Sequence, residues 1–365
     1  VISTVLLLAM FMLATAFDWT FASHRTAPDF FTFSGSWDAS FYRRIAEGGY
    51  PRTLPTDAEG RVLPNPWAFL PVYPMVVRAA MTVTGLPFDP VGVMLSALFG
   101  AGAALALYYL LAARVTDRKA FWATAMFCLG PLSFLLQVAY AESLFLLLMF
   151  AALLAMVRRH YVAIIPLGVV AAFTRPGVLA LSLALGIHLV VRMRSSEPPR
   201  PRAIVSILLA GGATAAAGLA WPVIANAVTS EKNAYLATEL SWWVGFVGWQ
   251  RFIPFAPWFE MAGRYLGAAG VVLVVALATG FVWWLFRRSN RRLGNEIIAF
   301  AGSYALYLFA VFLPQESIFR LALPLSPLLA ADTFTRTARR RRRLLITAIA
   351  LQPVAIVLLW FIGYP

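Results

Sequence analysis

Long uninterrupted apolar runs constrain this 365-residue chain more than any other feature. The segments 91–113, 203–228 and 344–362 each approach the roughly 20 apolar residues that cross about 30 Å of hydrocarbon. A run of that length satisfies its backbone inside a bilayer only as a helix or a closed barrel, and uninterrupted runs select helices. The composition agrees: 61% of residues are hydrophobic and 13% are charged, and the mean hydropathy is +0.76. Soluble domains sit near half apolar and a quarter charged. The sequence therefore predicts an all-α polytopic membrane protein, one membrane domain over 1–365 with no room for a soluble catalytic domain beside it.

Spans are predicted at 1–17, 89–113, 120–137, 141–157, 161–174, 177–192, 203–228, 263–286, 295–313, 319–334 and 344–363, about eleven transmembrane helices. The first begins in an apolar run at Val1 with neither a charged region nor a small-residue cleavage site, so it is expected to be a spanning helix rather than a signal peptide. Two long outer loops, 18–88 and 229–262, separate these spans. With the N-terminus in the cytoplasm, 19 of the 30 basic residues fall in five short inner loops. These are Arg114, Arg118, Lys119; Arg158, Arg159; Arg192, Arg194, Arg200, Arg202; Arg287, Arg288, Arg291, Arg292; and Arg336 with Arg339–Arg343. That bias sets the orientation. Twelve of the 16 acids fall outside: Asp18, Asp29, Asp38, Glu47, Asp57, Glu59, Asp89, Glu142, Glu231, Glu239, Glu260 and Glu316. Counting 67–84 as a span would turn the arginines outward. With Pro71, Pro74 and Arg78 it is expected to lie in the outer interface.

The net charge of +14 thus follows from membrane topology and contact with anionic lipid, and no nucleic-acid partner is implied. Cys128 is alone, which excludes an internal disulfide. Arginine dominates the basic residues, with only Lys119 and Lys232, and together with the alanine content this points to a GC-rich bacterial genome. Nucleotide-binding glycine motifs, H-E-x-x-H and D-x-D are absent, and His24, His160 and His188 are far apart in sequence.

Polar groups at the outer ends of the apolar runs remain. In 34–51, Ser36 is a plausible N-cap and Gly48 a helix stop with Pro51 beyond, so Trp37, Phe41, Tyr42 and Ile45 line one face of a short helix. Asp38 then either complements the helix dipole or serves as a general base at the water–lipid boundary. Glu142, at a tight outer turn, is either a helix-end acid or a cavity-facing one. Arg175 opposes the charge bias and needs an anionic partner, a phosphate or a carboxylate such as Glu142. Glu316 and Arg320 are four apart and are able to pair on one helix face, while Arg320 also lies where a lipid phosphate would be. Tyr42, Tyr50, Trp67 and Tyr73 either stack on sugars or form the interfacial belt. The second loop, with Trp242, Trp243, Trp249 and Trp258, is expected to cover the site, and Arg251 is a candidate substrate contact. Two carboxylates and two arginines on one side suit an amphiphilic substrate bearing a phosphate. A lipid or glycolipid transporter is the rival reading, but it would favour charges near the midplane.

Trp37-Asp38, Tyr42-Arg43-Arg44-Ile45-Ala46, Gly48-Gly49-Tyr50, then 68–74, 139–145 and Thr174-Arg175-Pro176-Gly177 together resemble the PIG-V family. Those are mannosyltransferases akin to the enzyme that adds the second mannose of the GPI anchor, within the GT-C superfamily. The resemblance implies a GT-C-type fold with outer-face juxtamembrane helices, a polyprenyl-phosphate mannose donor and inverting transfer. It also implies Asp38 as catalytic base; Arg175 and Arg320 are then placed to hold the donor phosphate as fixed cations, which removes the need for a metal or other cofactor. Substrate contacts are expected from Glu142, Trp37, Tyr42, Arg43, Tyr73, Tyr140 and Glu316. Family members often carry Tyr-Thr or Tyr-Ser before the acid, where this chain has Tyr140-Ala141, and Ser or Asn after the arginine, where it has Pro176. The acceptor expected in a bacterium is another glycolipid or a cell-wall glycan. Another polyprenyl-linked sugar is the alternative donor.

Overall fold

The computed structural model describes residues 2–17 and 28–363; Val1, Asp18 and His24 lie outside them. The first part of the chain forms α1 (Ile2–Ala16), α2 (Phe30–Ser34), α3 (Ala39–Gly48), α4 (Val72–Thr84), α5 (Phe88–Ala112) and α6 (Asp117–Leu129). Then come α7 (Glu142–Val157), α8 (Tyr161–Ala172), α9 (Leu179–Met193), α10 (Pro201–Thr229), α11 (Ala234–Ser241) and α12 (Val244–Val247). The chain closes with α13 (Ala256–Leu285), α14 (Asn295–Val311), α15 (Ile318–Leu321), α16 (Asp332–Thr335) and α17 (Ala338–Ile356). Among the described residues, extended pairing is limited to one bridge between Thr56 and Val62.

Among the described residues, four helical stretches are long and apolar enough to cross a membrane: Phe88–Ala112, Pro201–Thr229, Ala256–Leu285 and Ala338–Ile362. Five of the other expected spans appear as shorter apolar helices, α1, α7, α8, α9 and α14. The remaining two are broken. In 120–137, α6 ends at Gly130, whose extended ψ of 168° starts a turn that continues as a 3-10 helix, Ser133–Gln137. In 319–334, Pro324 and Pro327 lie in a 3-10 segment, Leu323–Ala330, between α15 and α16. Proline supplies no backbone N–H and disfavours the helical conformation of the residue before it, so one continuous helix is lost there. The arginine run 339–343 is likewise not a loop but the start of α17, capped by the Thr337 side chain accepting from Arg340 N–H at 3.2 Å. Within that run Arg341 is buried and donates to Thr335 O at 2.7 Å.

Burial is consistent with a lipid solvent. Helix α13 carries exposed Val272, Leu277, Val282 and Trp283, and α10 exposes Leu208, Leu219 and Val223. Apolar belts of this size are unfavourable in water and stable in hydrocarbon. The inner surfaces pack α5 on α7, α7 on α8, α8 and α9 on α10, and α9 on α14. At one end of these helices sits a basic network. Arg114 meets Glu296 at 2.7 Å, the buried His188 lies 3.7 Å from Glu296, and its Nε2 is 3.0 Å from Tyr161 Oη. Lys119 pairs with Asp332 in the same region. The opposite end carries α3, α4, α11 and the carboxylates described below. Helix α4 has 13 residues, fewer than a span needs, and ends on Gly85 in the left-handed region. The segment 67–84, expected as one interfacial helix, is divided between a 3-10 turn, Pro66–Ala68, and α4.

Close helix contact depends on small residues. A Cβ at Gly168 of α8 would stand 2.5 Å from Thr214 Oγ1 and 3.3 Å from Thr214 Cβ of α10, whereas Gly212 has open space. Gly168→Ala is expected to destabilise the protein by about 1–3 kcal/mol, while Gly212→Ala leaves it unchanged or slightly more stable. Thermal melting of both variants in one detergent measures the difference.

Candidate active site at the helix ends

The site is assembled by a sharp turn between α2 and α3. Asp29 caps α2 by accepting from Thr32 N–H at 2.8 Å. Gly35 follows, and a Cβ there would collide with the Asp89 side chain. Glycine thus permits the close approach of Asp89, which pairs with Arg43 of α3. Trp37 adopts a left-handed φ of 59° and reverses the chain. Ser36 does not cap α3, as the sequence suggested. The helix begins at Ala39, and Asp38 precedes it without any side-chain capping bond. Instead, the Asp38 backbone N–H donates to Tyr140 Oη at 3.2 Å, and its carboxylate lies 2.5 Å from Arg320 Nη1.

Four charged side chains from four segments meet here. Glu142, at the first turn of α7, is 2% exposed and pairs through one oxygen with both Arg175 and Arg320, the latter at 3.0 Å. Arg175 comes from the turn between α8 and α9, Arg320 from α15 and Asp38 from the start of α3. Two carboxylates and two guanidiniums compensate one another, which burial requires. The expected Glu142–Arg175 pair is present. The expected Glu316–Arg320 pair is replaced by Arg320 reaching Asp38 and Glu142, and Glu316 is exposed. Arg320 also lies over the Tyr140 ring at 5.4 Å. Burial pushes the Asp38 carboxyl above its ordinary range; Arg320 pulls the other way and Glu142 adds to the rise.

Glu142 Oε2 and Arg320 Nε are buried without a hydrogen-bond partner. Glu142, Arg175 and Arg320 line a crevice with Phe145, Leu146, Tyr304, Leu321, Leu323 and Pro324, with free interior of about 10 Å³, the room of about one water. Chemically the arrangement offers an anion two fixed guanidiniums, and it offers a proton one carboxylate. An incoming phosphate competes for arginines that are already paired.

Other sequence-selected residues serve the frame. Trp37 Nε1 donates to Trp360 O at 3.1 Å, and Tyr73 is fully buried with its hydroxyl 3.1 Å from Gly92 O and 2.9 Å from Ser96 Oγ. Tyr42 packs edge-on against Phe69 and Tyr73. Trp67 is buried, donates to Pro51 O at 3.0 Å and packs with Tyr50 and Trp221. Trp258 donates to Leu308 O, Trp249 lies under Arg61, and Arg251 is exposed outside the cluster. Glu239 of α11, in sequence only one more outward acid, proves to sit in the field of Arg175 and Asp38. Nothing in its local sequence, Thr238-Glu239-Leu240, distinguishes it.

Removing one partner of such a buried network leaves a charge uncompensated. Glu142→Ala is expected to cost about 3–5 kcal/mol, and Glu142→Ala/Arg175→Ala less than the sum of the single losses. A double-mutant cycle from thermal melting in detergent checks this.

No curated protein matches this chain. Residues 14–175, which hold Asp38, Glu142 and Arg175 and end before Arg320, match the family model Mannosyltransferase (PIG-V).

Proposed function

We propose that the protein transfers mannose from polyprenyl-phosphate mannose to a hydroxyl of a glycolipid or glycan at the extracytoplasmic face, with inversion and without a metal. One observation carries this reading: Asp38, in the family-matched segment, shares one buried ion network with two arginines at the helix ends. The arginine-rich opposite end supports a cytoplasmic N-terminus.

The donor phosphodiester brings one negative charge, which gives Arg320 an alternative to Asp38. Exchange of that partner frees the carboxylate beside the sugar. Asp38 accepts the proton of the acceptor hydroxyl as its oxygen attacks C1 from the face opposite the phosphate. The new C1–O bond forms, the C1–O bond to phosphate breaks, and polyprenyl phosphate departs with the bonding pair. Negative charge grows on the leaving oxygens, where Arg175 and Arg320 supply the cationic stabilisation a metal gives in nucleotide-sugar enzymes. Glu142 keeps both guanidiniums oriented. A positioned base contributes roughly 10²–10⁴ in rate.

The test is label transfer from radiolabelled polyprenyl-phosphate mannose to a membrane glycolipid extract in nanodiscs with EDTA present. Wild type is expected to transfer label, and Asp38→Asn to lose about 10²–10⁴-fold; equal transfer by Asp38→Asn overturns the assignment of the base. Because the deprotonated carboxylate is the active form and burial raises its pKa, the rate should fall on the acid side at a pH above the ordinary carboxylate range. An acid limb at the ordinary carboxylate pKa of about 4 would show that Asp38 does not govern the rate.

A further inference from the structure

Helix α11 lies against the site, and its register is set by contacts. Asn65 Nδ2 donates to Thr238 Oγ1 at 2.9 Å, and Ala234 and Thr238 are buried beneath it. Tyr235, Glu239 and Trp242 recur at i, i+4 and i+7 and so share one side of the helix and its end. The Trp242 ring fixes where that side points: it stands edge-on to Phe41 at 5.4 Å and to Phe69 at 6.1 Å. Phe41 is three residues beyond Asp38 on α3, so the stripe looks toward the part of α3 that carries the candidate base.

The Glu239 carboxylate, half-buried, accordingly senses both Arg175 and Asp38, yet it forms no salt bridge with a described residue. Tyr235 of its own helix and Tyr307 of α14 also face it. Burial pushes its carboxyl up to about 7. Trp242 Nε1 is buried without a hydrogen-bond partner. A carboxylate without a counter-ion and an indole N–H without an acceptor are both costly in a folded wall. An acceptor, a donor and aromatic faces on one stripe match the chemistry of a saccharide, whose hydroxyls both give and accept hydrogen bonds over apolar ring faces.

We propose that Glu239 is an acceptor-binding residue, accepting hydrogen bonds from saccharide hydroxyls and holding the attacking one toward Asp38, with Tyr235 and Trp242 beside it. This rests on the transferase reading. It assigns the second outer loop to the acceptor and leaves the arginine crevice to the donor.

The experiment uses the full chain in nanodiscs with octyl α-mannoside as acceptor probe. Initial rates are measured against acceptor at saturating donor and against donor at saturating acceptor, and binding of the probe alone is followed by tryptophan fluorescence. Glu239→Gln, with an unchanged melting curve and assayed above pH 7 where the carboxylate is ionised, is expected to raise the acceptor KM and weaken probe binding by about tenfold or more, the loss of hydrogen bonds to a charged group. The donor KM should stay within about twofold, and Glu239→Asp should recover part of the loss. An unchanged acceptor KM, or an equal rise in donor KM, overturns the proposal while leaving the transferase reading intact. Absence of transfer by wild type overturns the transferase reading. In that case, probe binding that Glu239→Gln leaves unaltered, or no probe binding at all, overturns the acceptor site too, and tenfold weakening upholds it.

Discussion

The buried network of Asp38, Arg320, Glu142 and Arg175 is the constraint to which the rest of the site answers. Charges removed from water persist only when each finds a partner, and here every partner comes from a different segment. Helix α3, the start of α7, the α8–α9 turn and α15 must therefore arrive together, although Asp38 and Arg320 are separated by most of the chain. The positions are favourable locally as well. Glu142 sits in the first turn of α7, where exposed N–H groups prefer an anion.

Irregular backbone is concentrated where it serves this arrangement. The left-handed Trp37 turns the chain so that Asp38 arrives ahead of α3 with its side chain free of capping. Prolines in Leu323–Ala330 interrupt what would otherwise be a span, leaving Arg320 on a short helix at the mouth of the crevice. Non-helical backbone is tolerated at membrane depth only where it is enclosed by protein, and Leu323–Ala330 is flanked by α6, α7 and α14. At the other end, Arg114, Glu296, His188 and Tyr161 tie the same helices together, so the bundle is bound by polar contacts at both ends and by apolar packing between.

Much of this architecture is legible in the amino-acid sequence. Apolar runs locate nine of the helical segments, seven of them within about two residues, while the helices at 256–285 and 338–356 start six or seven residues earlier than expected; hydrocarbon thickness dictates a length that composition alone reveals. Arg175 announces a need for an anion, since an isolated guanidinium between apolar helices cannot stay unpaired, and Glu142 is the right partner. The same logic fails for Arg320. Proximity in sequence favours Glu316, but Glu316 precedes the four-residue α15, so the two do not share a helix face, and the guanidinium meets Asp38 and Glu142 instead. The aromatic residues also divide in ways that periodicity does not encode. Tyr73 and Trp67 have their polar tips satisfied by the frame, while Trp242 does not.

By itself, then, the sequence determined the helical class, the nine apolar helices and the family pattern within residues 14–175, all of which depend on local composition and short-range order. Tertiary structure alone decided which carboxylate each arginine meets, that 120–137 and 319–334 break, and that Trp242 at the end of α11 meets Phe41 of α3. Those outcomes depend on how helices far apart in sequence are docked, and a charge separated from its partner by hundreds of residues leaves no trace in either neighbourhood.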